Sequence, residues 1–238
     1  MITRVAVVPH PPLLVPELVR GSEQDTAPVR DAVMDAVTWL RDSCTRWLAI
    51  GAHQGHPAHF AADLRGSFAG YGVDVPVALS AIGQYPREGV ELPLPVLIAA
   101  WLRGRAGAEA ATALVINTGT APEECALIGR QLSDRAGVGA LVLGDGSTRH
   151  GPRAPGGQDE RAGAFDDAVA AALKDVDTAA LHALDPALAA DLEAGGRAPW
   201  QVLAGLTDNG QWRGELLYSG APFGVGYHVA IWERSERR

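Results

Sequence analysis

Apolar residues along the chain follow two alternating rhythms. Short, nearly continuous hydrophobic runs at 2–8, 47–51, 113–117 and 140–143 read as strands buried on both faces. Between them, apolar positions recur at helical spacing. Val29, Val33, Val37 and Leu40 make one such face, with Asp25 or Thr26 as the cap and Pro28 in the first turn. A second helix is expected over 94–103, beside Pro93 and Pro95, and Pro122-Glu123-Glu124 opens a third, with acids where the helix dipole favours them. Residues 159–174 predict a long helix, and 179–194 and 200–206 predict further helical pieces. Two closing strands, 214–218 and 227–232, are separated by a Gly/Pro turn and form a hairpin.

This order predicts a single α/β domain over residues 1–238, a three-layer α/β/α fold with a mixed, mostly parallel sheet. Composition narrows the class. At 47% hydrophobic and 20% charged, the chain has the balance of a globular protein rather than a disordered one. The net charge of −8, with Lys174 as the sole lysine, argues against a nucleic-acid surface. The apolar run after Arg4 is cut by Pro9-His10-Pro11-Pro12, too early for a signal-peptide core, and no stretch has the length of a membrane span. Two cysteines, Cys44 and Cys125, make no disulfide framework, so a cytoplasmic location is expected.

In open α/β sheets ligands bind outside the carboxyl ends of the strands. Those ends carry His10, then His53, then Thr118 to Thr120, then Asp145 to His150. Three of the seven histidines therefore fall at or just past a strand end, and two converging imidazoles are what a transition-metal site uses. The plainer readings are a rigid His-Pro turn for His10 and solvated loop positions for His56, His59 and His150. His53 is expected to point inward from a strand neighbouring that of His10, and His59 to lie at the surface. His182, in an Ala/Leu-rich helix, and His228, alternating within the last strand, read as structural.

The opening Val7-Val8-Pro9-His10-Pro11-Pro12-Leu13-Leu14 resembles the start of the B-subunit (LigB-like) family of class III extradiol ring-cleavage dioxygenases. Leu48-Ala49-Ile50-Gly51-Ala52-His53 is similar to that family's second strand. Gly144-Asp145-Gly146-Ser147, with His150 beyond it, is similar to the stretch that carries its acid/base histidine. Residues 200–206 and Gly224-Val225-Gly226-Tyr227 resemble its ending, which the related Memo-like proteins share. The resemblance implies an Fe(II) site in which His10 and His53 bind metal and His150 moves protons. His56, Asp145 and Ser147 would then contact a small catechol-like substrate, and a homo-oligomer is suggested by analogy.

The chain departs from this pattern in two places. Thr148 and Arg149 separate His150 from the Asp-x-Ser unit, and residues 195–201 contain no carboxylate where the family has its glutamate. Glu193 is the candidate substitute, ahead of Asp191, Glu215 and Asp145. Two alternatives stand beside the dioxygenase: a catalytically silent LigB-like or Memo-like binding or scaffold protein, and a zinc-dependent hydrolase using His10, His53 and His56.

Overall fold

The structure, a computed structural model, describes residues 1–19, 21, 23–85 and 91–235. Its centre is a seven-stranded sheet in the order β3-β6-β2-β7-β1-β9-β8. The strands are β1 (Arg4–Val8), β2 (Arg46–His53), β3 (Ala58–Phe60), β6 (Ala110–Asn117), β7 (Gly139–Leu143), β8 (Trp212–Gly220) and β9 (Tyr227–Arg234). The pairs β6–β2, β2–β7 and β7–β1 are parallel, whereas β3 and β9 run against their neighbours. The sheet is therefore mixed, with most strands pointing one way. Two short strands, β4 (Arg65–Ser67) and β5 (Pro76–Ala78), form a separate antiparallel ribbon that the hydrophobic pattern did not announce.

Helices cover both faces, giving three layers. On one face lie α1 (Glu23–Ser43), α2 (Leu94–Ala106) and the β4–β5 ribbon, packed on Val8, Ala49, Leu141 and Leu143. The other face carries α3 (Pro122–Leu132), α4 (Arg161–Asp175), α5 (Thr178–His182), α6 (Pro186–Asp191) and α7 (Arg197–Thr207). These pack on Val7, Ile50, Leu114 and Val142. The period-2 alternation of strand side chains sends each strand's odd and even residues to different layers, which is why both sets had to be apolar. Among the described residues no helix is long and apolar enough to cross a membrane.

One expectation is corrected. The strands that end in His10 and His53 are not neighbours, because β7 runs between them and pairs with both. The chain moves outward from β1 to β2 to β6 through α1 and α2, then returns through α3 on the opposite face. Right-handed crossovers require that change of face when the direction reverses. The returning strand fills the gap left between β1 and β2.

α7 is buried along its whole length and crosses α3 at very close range. A Cβ at Gly129 would stand 2.1 Å from the Val202 carbonyl oxygen, and one at Gly205 would stand 2.2 Å from that of Ala126. Each helix thus offers a glycine where the other's backbone passes, and neither backbone can give way like a flexible side chain. Gly205→Ala is expected to destabilise the protein by at least about 3 kcal/mol. Gly104→Ala, in the exposed part of α2 where a Cβ meets nothing within 4 Å, is expected to stabilise by roughly 0.5–1 kcal/mol. Urea unfolding of the two variants checks both signs, and equal midpoints would contradict the packing argument.

Candidate functional site

The registers Val8↔Leu143 and Ile50↔Val142 fix what stands side by side at the strand ends. Extended two residues past Val8 and Leu143, and three past Ile50, these registers align His10, Asp145 and His53 in one row across the ends of β1, β7 and β2. All three have the parity of the α1/α2 face. The contact that verifies the row is a hydrogen bond from the His10 backbone N–H to Asp145 Oδ1 at 2.8 Å. The His10 ring lies on the same oxygen, with Nδ1 at 3.6 Å, too long for a hydrogen bond. His10 is 8% exposed, and its Nδ1 is buried without a hydrogen-bond partner.

His53 is the last residue of β2, opposite Asn117. Its Nδ1 accepts the Gly55 N–H at 3.1 Å, which leaves Nε2 free of that contact. Asn117 holds the following loop by donating to the Gly55 carbonyl at 2.9 Å and accepting from the Gly119 N–H at 2.7 Å. His53 opens onto a cleft of about 1280 Å³ walled by Phe60, Tyr71, Leu92 and Leu97, with His56, Arg65, Ser67 and Glu91 among its polar members. His56 is exposed there, and His59 is an exposed residue of β3. Tyr227 is buried on this face. Burial, and then the charge of Asp145, push its hydroxyl up, so it stays protonated at neutral pH.

His150 belongs to a different constellation. Its Nε2 lies 2.5 Å from Oδ2 of Asp166, an α4 residue only 5% exposed. The other Asp166 oxygen faces Nε2 of His228 at 3.2 Å, and the Ser147 N–H reaches both oxygens at 3.1 and 3.3 Å. The Ser219 hydroxyl completes the chain at 3.0 Å from Nδ1 of His228. An ionised carboxylate only accepts, so each Nε2 carries the proton. Glycine makes this possible, since Cβ atoms at Gly146 and Gly226 would stand 2.2 and 2.1 Å from the carboxylate oxygens. The rings of His228 and Trp200 meet edge-on at 5.9 Å.

Two other residues proposed from sequence are committed elsewhere. Ser147 is 0% exposed; its hydroxyl donates to the Leu192 carbonyl and accepts the Arg149 N–H, both at 3.1 Å. It shapes the loop and does not face a ligand. Glu193 takes a left-handed backbone (φ 53°), and its carboxylate accepts from Thr148 Oγ1 at 2.6 Å and Arg149 at 2.9 Å. The structure therefore brings Asp145 to His10 and leaves Glu193 with Arg149. Among the described residues no three His, Cys, Asp or Glu side chains are gathered closely enough to hold a metal ion.

Asp166 went unnoticed in the sequence and His228 read only as structural, although each carries a signal. Asp166 interrupts the apolar stripe Ala162, Phe165, Val169, Leu173 of α4, and His228 alternates with Ala230 and Trp232 toward the same layer. A charged residue on a core-facing stripe needs a partner, and a histidine with the same inward parity is the one available.

No protein-family model matches the sequence, and no curated protein matches it. Among solved structures, the fold is similar to an uncharacterized protein, JW3007, from Escherichia coli K12, with a TM-score of 0.58 at 14% identity. The alignment covers 97% of this chain and 99% of that one, so the likeness is in the whole fold.

The cysteines stand apart from this chemistry. Burial pushes the Cys125 thiol up to about 11, with Arg197 opposing, and also raises half-buried Cys44. The thiolate of Cys125 is therefore scarce near neutral pH. At pH 8 a Cys44→Ser variant is expected to show no thiol reactive with Ellman's reagent until urea is added. Stoichiometric labelling of the folded variant would contradict this burial.

Proposed function

We propose that the chain is a metal-dependent oxidoreductase of the LigB-like extradiol type, centred on His10, Asp145 and His53, with a small catechol-like diol as substrate. The observation that carries this reading is the buried, unpartnered Nδ1 of His10 lying 3.6 Å from the Asp145 carboxylate. Two donors about 2.1 Å from one ion, at the tetrahedral angle, stand about 3.4 Å apart, so the pair has the spacing of two ligands to a shared ion. In this reading His53 would supply Nε2 as the third donor, because the Gly55 N–H occupies its other nitrogen.

Two imidazoles and one carboxylate are the donor set of non-haem Fe(II), and the same N/O set accepts Zn(II). The ion would supply a Lewis acid with open coordination positions. The chain's own residues do the rest. Asp145 holds the loop after β7 against His10, and Phe60, Tyr71, Leu92 and Leu97 give the cleft in front of His53 apolar walls. In this reading Asp145 takes the place expected of Glu193. The net charge of −8 suits a small-molecule enzyme without a nucleic-acid partner, and we place it in the cytoplasm, with self-association by analogy to the resembled family.

A second reading, a LigB-like binding protein without catalysis, is favoured by the absence of a gathered three-residue cluster among the described residues. Anaerobic titration with Fe(II), and with Co(II) as its coloured substitute, separates the two. One equivalent is expected to bind, with affinity falling at least roughly 100-fold in His10→Ala, His53→Ala and Asp145→Ala. Glu193→Ala is expected to bind as the parent does, and the loaded protein to consume O₂ with a catechol. An unmodified chain that binds neither ion leaves the binding-protein reading. Undiminished affinity in Asp145→Ala removes that residue from the centre.

A further inference from the structure

We propose that the cleft between residues 150–154 and 221–224 is a second ligand site, built for a small organic anion that also carries a hydroxyl. The cleft encloses about 880 Å³ and is lined by His150, Pro152, Arg153, Pro222, Phe223 and, on the α1 side, Asp25. That volume suits a small molecule. The site contains none of His10, Asp145 or His53 and stands independently of the metal reading.

The base of the site is fixed before any ligand arrives. Asp166 accepts the hydrogen bond from His150 Nε2–H, while the His150 backbone N–H donates to the Gly224 carbonyl at 3.1 Å. Both the ring and its main chain are therefore held. Nδ1, which makes no hydrogen bond among the described residues, is left as an acceptor on the side of the ring away from Asp166. A ligand O–H is the group it can receive. Asp166 is a positioning residue in this arrangement. His228 and the Ser147 N–H share its carboxylate and prevent it from turning away.

The walls specify the remainder of the ligand. Arg153 is exposed and makes no ion pair or hydrogen bond among the described residues, so its guanidinium is free for a carboxylate. Asp25 places negative charge at the α1 side, which assigns the ligand's anionic group to the Arg153 end. Pro152, Pro222 and Phe223 supply apolar cover for a carbon skeleton. Phe223 is 38% exposed, a cost in water that a bound ligand would relieve. Fixed acceptor, free cation and apolar cover together describe a hydroxylated organic anion.

Lactate and propionate are matched probes, since both are small carboxylates and only lactate has the hydroxyl. NMR of the isotope-labelled full chain, kept metal-free with chelator, follows His150, Arg153 and Gly224 during titration. Both probes are expected to bind saturably at this cleft, lactate roughly three- to tenfold more tightly. Arg153→Ala is expected to weaken both. His150→Leu is expected to abolish the advantage of lactate while leaving propionate unchanged. In Asp166→Asn the ring-nitrogen signals are expected to report a mixture of His150 tautomers, a change that mere loss of stability would not produce. Equal affinity for the two probes in the parent chain would overturn the proposal. So would the absence of any saturable shift at His150, or shifts confined to His53 and Asp145. Because no metal is present, none of these three results bears on metal binding.

Discussion

The ladder that joins β7 to β1 on one side and to β2 on the other decides where every side chain at the strand-end edge is sent. Strand side chains alternate with a period of two, so a slip of one residue in β7 would turn Asp145 to the α7 face and leave His10 beside glycine. The residues just before the row explain why the register cannot slip cheaply. A Cβ at Gly51 would stand 2.6 Å from Pro95 at the start of α2, and one at Gly144 would stand 2.6 Å from Cα of Gly196 at the start of α7. Glycine occupies the two positions where helix N-termini close on the sheet from opposite faces. Shifting either strand would put a larger side chain under a helix start.

The buried carboxylate of Asp166 organises the other face under a different constraint. No arginine or lysine pairs with it among the described residues, so its compensation comes from the Ser147 N–H and two imidazole N–H groups. Removing any one of them would leave an acceptor short of a donor in a dry place, where that costs about 1–3 kcal/mol. The three donors come from the loop after β7, from the stretch before α4, and from β9. One carboxylate thereby ties together segments distant in sequence, and the tie also sets the tautomer of His150.

Much of this was legible in the sequence, and the rest was hidden for physical reasons. The parallel strands were visible because each is apolar throughout, and their ends pointed to His10, His53 and the stretch from Asp145. Strand order was not visible, since hydrophobic runs carry no record of which neighbour they pair with; hence β1 and β2 read as adjacent. The ribbon β4–β5 escaped because strands of three residues have too few positions to show alternation. Ser147 read as a polar group available to ligand, yet loop hydroxyls are as readily consumed by backbone groups such as the Leu192 carbonyl. Glu193 stood close in sequence to the expected carboxylate position. Its direction is set by a left-handed backbone and by Arg149, neither of which sequence distance encodes.

The segment from Gly144 to His150 serves both faces, and its backbone explains how. Alternate N–H groups are held from three segments: Gly144 by the Val8 carbonyl, Thr148 by Leu192, and Gly146 and His150 by Gly226 and Gly224 of the turn before β9. A loop with its amides anchored at every second residue behaves as a continuation of the strand, with side chains sent to fixed and opposite sides. Asp145 is delivered to His10, and the Ser147 amide and His150 ring are delivered to Asp166. Sites on rigid elements hold their geometry better than sites on free loops. The pair Thr148 and Arg149 therefore does more than lengthen the loop between Ser147 and His150. It carries the histidine past the strand ends to Asp166, and it gives Glu193 the partners that occupy its carboxylate.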